Sequence, residues 1–210
     1  MVLSSSAVAI SSPIRAARLL ECALSPELWQ ELEHLCAVPW IPHVNQRDYQ
    51  GSWDVLPLRC LSTHHHAHPI LQGFAHDGEG AWQDLPILTR TPQLHNLLKN
   101  IPAPLKSVRL MRLAAGAEIK PHRDPGLAWE YGEARMHLPL RTDPRVIFWV
   151  GGQQISMREG ELWYMNADLE HSVVNASTQD RIHLVVDCVV NDWLHMALSN
   201  HGQNDPPLES

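Results

Sequence analysis

His122 and Asp124 flank Arg123 in the run KPHRDPG, from Lys120 to Gly126. On an extended strand, residues i and i+2 point to one face, so this imidazole and this carboxylate can be offered to a single metal ion. Two histidines and one carboxylate on one face of an octahedron are the pattern by which non-haem oxygenases hold Fe(II) while leaving positions open. The second histidine should come from a later strand brought opposite. His171 suits that role, standing between ELWYMNADLE and the strand-like HSVVN. With 14 histidines in the chain, a lone His-x-Asp carries little weight, so the surroundings must support it.

The letters HRD also occur in the protein-kinase catalytic loop. There the Asp is followed by Leu and a downstream Asn, with a Gly-rich loop and a DFG elsewhere in the chain. Here Pro125 and Gly126 follow Asp124, neither companion motif occurs, and the chain is too short for two kinase lobes. The kinase reading fails.

An oxygenase that consumes 2-oxoglutarate must also hold that dianion's distal carboxylate, a task suited to the planar fork of arginine. Arg181 opens RIHLVVDCVV. Alternation there puts Arg181, His183, Val185 and Asp187 on one face and Ile182, Leu184, Val186 and Cys188 on the other. An inward-facing Arg and His are costly unless they serve something. In ARMHLPLR, Arg135, His137 and Arg141 likewise share a face and offer donors to an anionic ligand. A zinc or manganese cupin-like hydrolase or isomerase would use the same triad without Arg181. A non-catalytic jelly-roll binding module would need none of these residues. The HHHAH run, His64 to His68, has no acidic neighbours or defined ligand spacing and reads as an exposed loop with adventitious metal affinity.

Positioning such residues takes a core of ordinary size, and 210 residues suffice for one domain. A net charge of −7 argues against a nucleic-acid partner or an anionic membrane. No apolar run is long enough to span a bilayer. Cys22, Cys36, Cys60 and Cys188 are scattered, as free thiols of a cytoplasmic protein would be. The N-terminus lacks the basic residues of a signal peptide, so residues 1–20 are expected to be a loose leader. A single domain with N-terminal helices is expected over 21–198, and a disordered tail over 199–210.

Ser25-Pro26-Glu27 reads as an N-cap, a Pro in the first turn and an acidic helix start, with Leu28, Leu32 and Leu35 following at helical spacing. Thr91-Pro92 opens a second helix in the same way, with Leu94, Leu97, Leu98 and Ile101 along one face. Short segments divided by turn residues then follow: SVRLMRL, AEIKPHRD, ARMHLPLR, RVIFWV, ELWYMN, HSVVN and RIHLVVDCVV. That texture predicts an antiparallel, mainly β double-stranded β-helix, a cupin-like jelly roll with flanking helices. Asp192 to Leu198 is expected to form a short closing helix.

The order KPHRDPG, ARMHLPLRT, REGELWYMNADLEHSVVNAS and DRIHLVVDCVVNDWL resembles the aspartyl/asparaginyl β-hydroxylase family of Fe(II)/2-oxoglutarate-dependent dioxygenases. Upstream, WIPHVNQRDYQGSWDVLPLR is similar to the N-terminal part of small bacterial members. The resemblance implies iron held by His122, Asp124 and His171, and a 2-oxoglutarate carboxylate held by Arg181 with His137 assisting. It also implies O2 as oxidant and Arg135 contacting the carboxylate of the substrate. The implied substrate is an Asp- or Asn-like residue in a peptide or protein, with a free amino acid as the alternative. In the animal enzyme that names the family, Gly stands where this chain has Asp124, and Met111 replaces a strand Ser that helps bind 2-oxoglutarate. Trp53 and Arg59 are further candidates for shaping the substrate pocket.

Overall fold

The computed structural model of the chain describes residues 13–75 and 78–201. Its first half runs β1 (Ala16–Glu21), α1 (Pro26–Cys36), β2 (Ile41–Pro42), β3 (Tyr49–Gln50), β4 (Trp53–Leu61), α2 (Pro69–Phe74), β5 (Trp82–Asp84), α3 (Pro86–Thr89) and α4 (Pro92–Lys99). The second half adds β6 (Leu105–Leu113), β7 (Glu118–His122), β8 (Glu133–Arg141), β9 (Val146–Val150) and β10 (Gln153–Ile155). It closes with β11 (Glu161–Met165), β12 (His171–Asn175), β13 (Arg181–Val189) and α5 (Asp192–His201).

Each strand-like segment picked out by its alternation is a strand, and the ladders are antiparallel. The larger sheet is ordered β1-β11-β8-β13-β6-β4-β2, with β5 on β4, and the smaller β10-β9-β12-β7-β3. From β6 onward the chain steps between the two sheets, which makes the fold a double-stranded β-helix of the cupin-like, jelly-roll kind.

Period-two alternation divides the core. Val108, Leu110, Ala134, Met136, Leu138, Ile182, Leu184, Val186 and Cys188 form one cluster with the helices on the outer face of the larger sheet. Met111, Leu113 and Val185 turn the other way and join Ile119, Phe148, Val150 and Val173 of the smaller sheet. Polar residues sharing the inner register, from Arg109 to Asp187, therefore end up between the sheets. Gly51 helps to shape this interior. Its φ of +86° falls in the left-handed region, and a Cβ there would lie 2.7 Å from that of Ala117.

The outer helices pack by their apolar stripes. Ser25 Oγ accepts a hydrogen bond from Leu28 N (3.2 Å), and Leu28, Leu32 and Leu35 are buried, each worth about 1.5–3 kcal/mol. The second helix is capped differently from expectation. Thr91 Oγ1 donates to the Leu88 carbonyl instead of capping. The free N–H groups of Gln93 and Leu94 donate to the carboxylate of Glu31 on α1, at 2.9 and 3.0 Å.

Both ends differ from the expected boundaries. Within the supposed leader, β1 pairs with β11 from Ala16↔Met165 to Glu21↔Glu161, because β11 has an open edge and Ala17 has a buried slot. Residues 1–12 lie outside the described residues. The closing helix forms and continues past the expected Leu198 to His201, while 202–210 also lie outside the described residues.

Candidate functional site

One ligand atom from each of His122, Asp124 and His171 fits in a cluster whose members all lie within 4.8 Å of one another. His122 ends β7 and His171 begins β12, directly opposite each other in the ladder. Asp124 is not on the strand, as expected, but in the turn just past it. There its N–H donates to the Ala167 carbonyl (2.9 Å), and Gly126 N donates to Asp168 Oδ1 (2.9 Å). The turn carrying Asp124 is thus pinned to the loop that leads into His171. Arg123 is exposed.

The two histidines are prepared alike. His122 Nδ1 lies 2.8 Å from the Lys120 carbonyl, and His171 Nδ1 lies 3.0 Å from the Leu169 carbonyl. A carbonyl only accepts, so both Nδ1 atoms carry the proton and both Nε2 lone pairs are left for a metal. Burial first, then the neighbouring His122, pushes His171 down to about 4, in favour of the neutral form a metal needs. Burial would raise Asp124, but Arg135 and the two histidines hold it below its ordinary value. This donor set fits a divalent first-row ion with open coordination positions.

These side chains line a cavity of about 360 Å³ between the sheets, and Arg181 lines the same cavity. Arg181 is 2 % exposed and no carboxylate among the described residues pairs with it. Its Nη2 lies 2.8 Å from His183 Nδ1, its Cζ sits 5.5 Å over the Phe148 ring, and its buried Nε has no hydrogen-bond partner among the described residues. Burial alone pushes the guanidinium down to about 9. A buried cation without an acid is a place for an anionic ligand. His137 lines the cavity beside it, its Nε2 without a hydrogen-bond partner among the described residues and the ring held well below its ordinary value by burial and then by Arg181.

From Asp124 a buried chain of charges leads to Asp187, at the opposite end of β13 from Arg181. Arg135 donates from Nη1 to Asp124 Oδ2, and from Nε and Nη2 to the two oxygens of Asp187 at 2.7 and 3.1 Å. Arg109 donates to Asp187 Oδ2 at 3.1 Å from the other side. Desolvation opposes the charge on Arg135, yet Asp187 and Asp124 outweigh it and raise the group above its ordinary value. Arg135, expected to face substrate, is therefore also tied to the candidate metal ligand Asp124.

The structure brings His122, Asp124, His171, Arg181, His137 and Arg135 around one cavity. Trp53 joins them, with His43 stacked flat on its indole at 3.5 Å. Arg59 does not, because its guanidinium pairs with Asp84. Arg141 also leaves the predicted face. The β8–β13 register shifts between Pro139 and Arg141, and Arg141 pairs with Glu33 on α1. Arg109 was missed, although its alternation with Met111 in SVRLMRL places it inward. His43 had no such signal. The His64 to His68 run joins no metal-competent group among the described residues.

A family model described as aspartyl/asparaginyl beta-hydroxylase matches residues 25–190. An oxidoreductase of the 2OG-Fe(II) oxygenase family from Burkholderia pseudomallei shares 14 % identity over 80 % of this chain and 81 % of its own, with a TM-score of 0.52. The non-heme alpha-ketoglutarate-dependent epimerase SnoN from nogalamycin biosynthesis shares 12 % over 83 % of this chain and 76 % of its own, at a TM-score of 0.48. A predicted oxalate decarboxylase from Thermotoga maritima shares 15 % over 74 % and 96 %, at 0.43. The first of these three bears on the fold, and only on the fold.

Proposed function

The chain belongs to the aspartyl/asparaginyl β-hydroxylase family, and from that premise we propose that it β-hydroxylates an Asp- or Asn-like residue of a peptide or protein. Membership makes the chain an oxygenase of the hydroxylase type and implies iron and 2-oxoglutarate. It takes the place of the cupin-like hydrolase and binding-module alternatives. The observation that carries the residue assignment is one cavity with a His-Asp-His donor cluster at one end and a buried arginine without an acid partner at the other.

In this reading His122, Asp124 and His171 hold Fe(II), and Arg181 receives the distal carboxylate of 2-oxoglutarate, with His137 at its side. When bound with O2, this group supplies the oxidising power to hydroxylate an unactivated carbon, with succinate and CO2 as co-products. The chain's own part is binding and orientation. The Nδ1 bonds of His122 and His171 leave both Nε2 lone pairs for the metal. Arg135 engages Asp124 Oδ2, which leaves Oδ1 to the metal. Met111, Ile119, Phe148, Met165 and Val173 give the cavity dry walls. Arg135 and Arg109 both line the cavity, held by Asp187 between them and, for Arg135, by Asp124, and guanidiniums fixed in a wall suit a substrate bearing a carboxylate or amide oxygen. The same pair of arginines supports a free amino acid as the second reading, since an α-carboxylate would suit them as well.

The test is anaerobic addition of Fe(II) and 2-oxoglutarate. A visible charge-transfer band that His122→Ala abolishes is the expected result. No band in the wild-type protein, together with unchanged 2-oxoglutarate affinity in Arg181→Ala, would sink the proposal. Succinate release across Asp- and Asn-containing peptides and free amino acids then separates the two substrate readings.

A further inference from the structure

We propose that His183 is a positioning residue for Arg181, a neutral imidazole whose bare Nδ1 fixes the direction of the guanidinium in the cavity wall. The proposal rests on the reading of Arg181 as the cosubstrate anchor. The two residues share the inner face of β13, and Arg181 Nη2 lies 2.8 Å from His183 Nδ1. A guanidinium has donors only, so Nδ1 must accept, and the single proton of the neutral ring must sit on Nε2. An imidazolium has no lone pair to offer and would repel the cation beside it.

His183 does not line the cavity. It is 2 % exposed and lies behind Arg181, opposite Met111 of β6 and Pro139 of β8. Its Nε2 is buried without a hydrogen-bond partner among the described residues. Leaving a buried donor unpaired is unfavourable, and an apolar side chain at this position would avoid that cost. The bond to Arg181 is what an apolar residue could not provide. With Phe148 beneath the guanidinium and His183 at one Nη, Arg181 is restrained on two sides. His137 Nδ1 lies 3.4 Å from the same His183 nitrogen. The single lone pair of that nitrogen goes to Arg181, the closer partner.

Two substitutions in the full chain separate positioning from packing. His183→Leu removes the acceptor while keeping the space filled. His183→Asn puts Oδ1 near the former place of Nδ1 and restores an acceptor for Arg181. The readout is the dissociation constant of 2-oxoglutarate in anaerobic Fe(II)-loaded protein, followed by calorimetry. The KM for 2-oxoglutarate is compared with kcat, and Arg181→Met is measured in parallel. His183→Leu should weaken 2-oxoglutarate binding about 10-fold or more, as the loss of a hydrogen bond to a charged group predicts, with the KM effect exceeding the kcat effect. His183→Asn should recover most of that affinity. Wild-type affinity in His183→Leu, beside lost affinity in Arg181→Met, overturns the role of His183 and leaves the anchor in place. Equal losses of affinity and melting temperature in both His183 variants also overturn it, as a packing effect. Wild-type affinity in Arg181→Met overturns the anchor and this proposal together.

Discussion

His122 and His171 face each other directly across the β7–β12 ladder with ring centroids 4.2 Å apart, and each spends its Nδ1 proton on the carbonyl of the residue two before it. The backbone thus selects the tautomer of both rings before any metal arrives. The histidines are prepared by the strand geometry itself, and Asp124 is brought to them by the turn that follows β7.

Removing either ring should therefore cost metal affinity more than fold. His122→Ala and His171→Ala are expected to lower Mn(II) or Fe(II) affinity by about 100-fold or more, with circular dichroism unchanged. Anaerobic metal titration measures it, and wild-type affinity in either variant would remove that residue from the metal set.

Arg181 is a burden on the ligand-free protein. Its charge is buried without an acid partner, so Arg181→Met should melt at the same temperature as wild type or a few degrees higher, while 2-oxoglutarate no longer raises the melting temperature. Thermal melts with and without 2-oxoglutarate test both halves. A large destabilisation of Arg181→Met would show that the arginine serves the fold instead.

Acid stability should centre on Glu161. Burial would raise this carboxyl, but hydrogen bonds from Arg158 N, the Arg158 guanidinium, Trp163 Nε1 and Arg18 bring it from an ordinary 4.5 down to about 2. A depressed carboxylate stabilises the fold fully above its unfolded value and loses that contribution as pH falls from about 4.5 through about 2. Because the Arg158 and Arg18 side chains are exposed and screened by water, Glu161→Gln should lose only about 1 kcal/mol at neutral pH and show a flatter stability profile over this range. Urea unfolding at several pH values checks it, and parallel profiles for the two proteins would count against the assignment.

The carboxylate of Glu31 is a helix cap supplied by another helix. Glu31→Ala strips partners from the N–H groups of Gln93 and Leu94 and should cost about 1–2 kcal/mol, with the loss localised to α4 in hydrogen exchange. Unchanged amide protection at Gln93 and Leu94 would contradict it.

Most of the fold was legible because alternation is a local signal. Ile182, Leu184, Val186 and Cys188 go to one core and Val185 to the other, as the pattern of RIHLVVDCVV requires. The unread features depend on partners far along the chain. Thr91 looked sufficient as a cap, and nothing near it points to Glu31. Arg141 fits the inward pattern until a register shift turns it toward Glu33. His122, Asp124 and His171 could be chosen by residue type. That Arg135 would bridge Asp124 and Asp187, with Arg109 behind, depends on side chains from three neighbouring strands of one sheet and from the turn after β7.

The strand β1 limits how far the chain can be trimmed. The strand covers the flank of β11 that would otherwise present unpaired N–H and C=O groups at the rim of the larger sheet. A shortened version starting after Glu21, designed on the view that residues 1–20 are dispensable, would expose that rim as a template for another chain. It should precipitate on concentration even if His122, Asp124 and His171 keep their places.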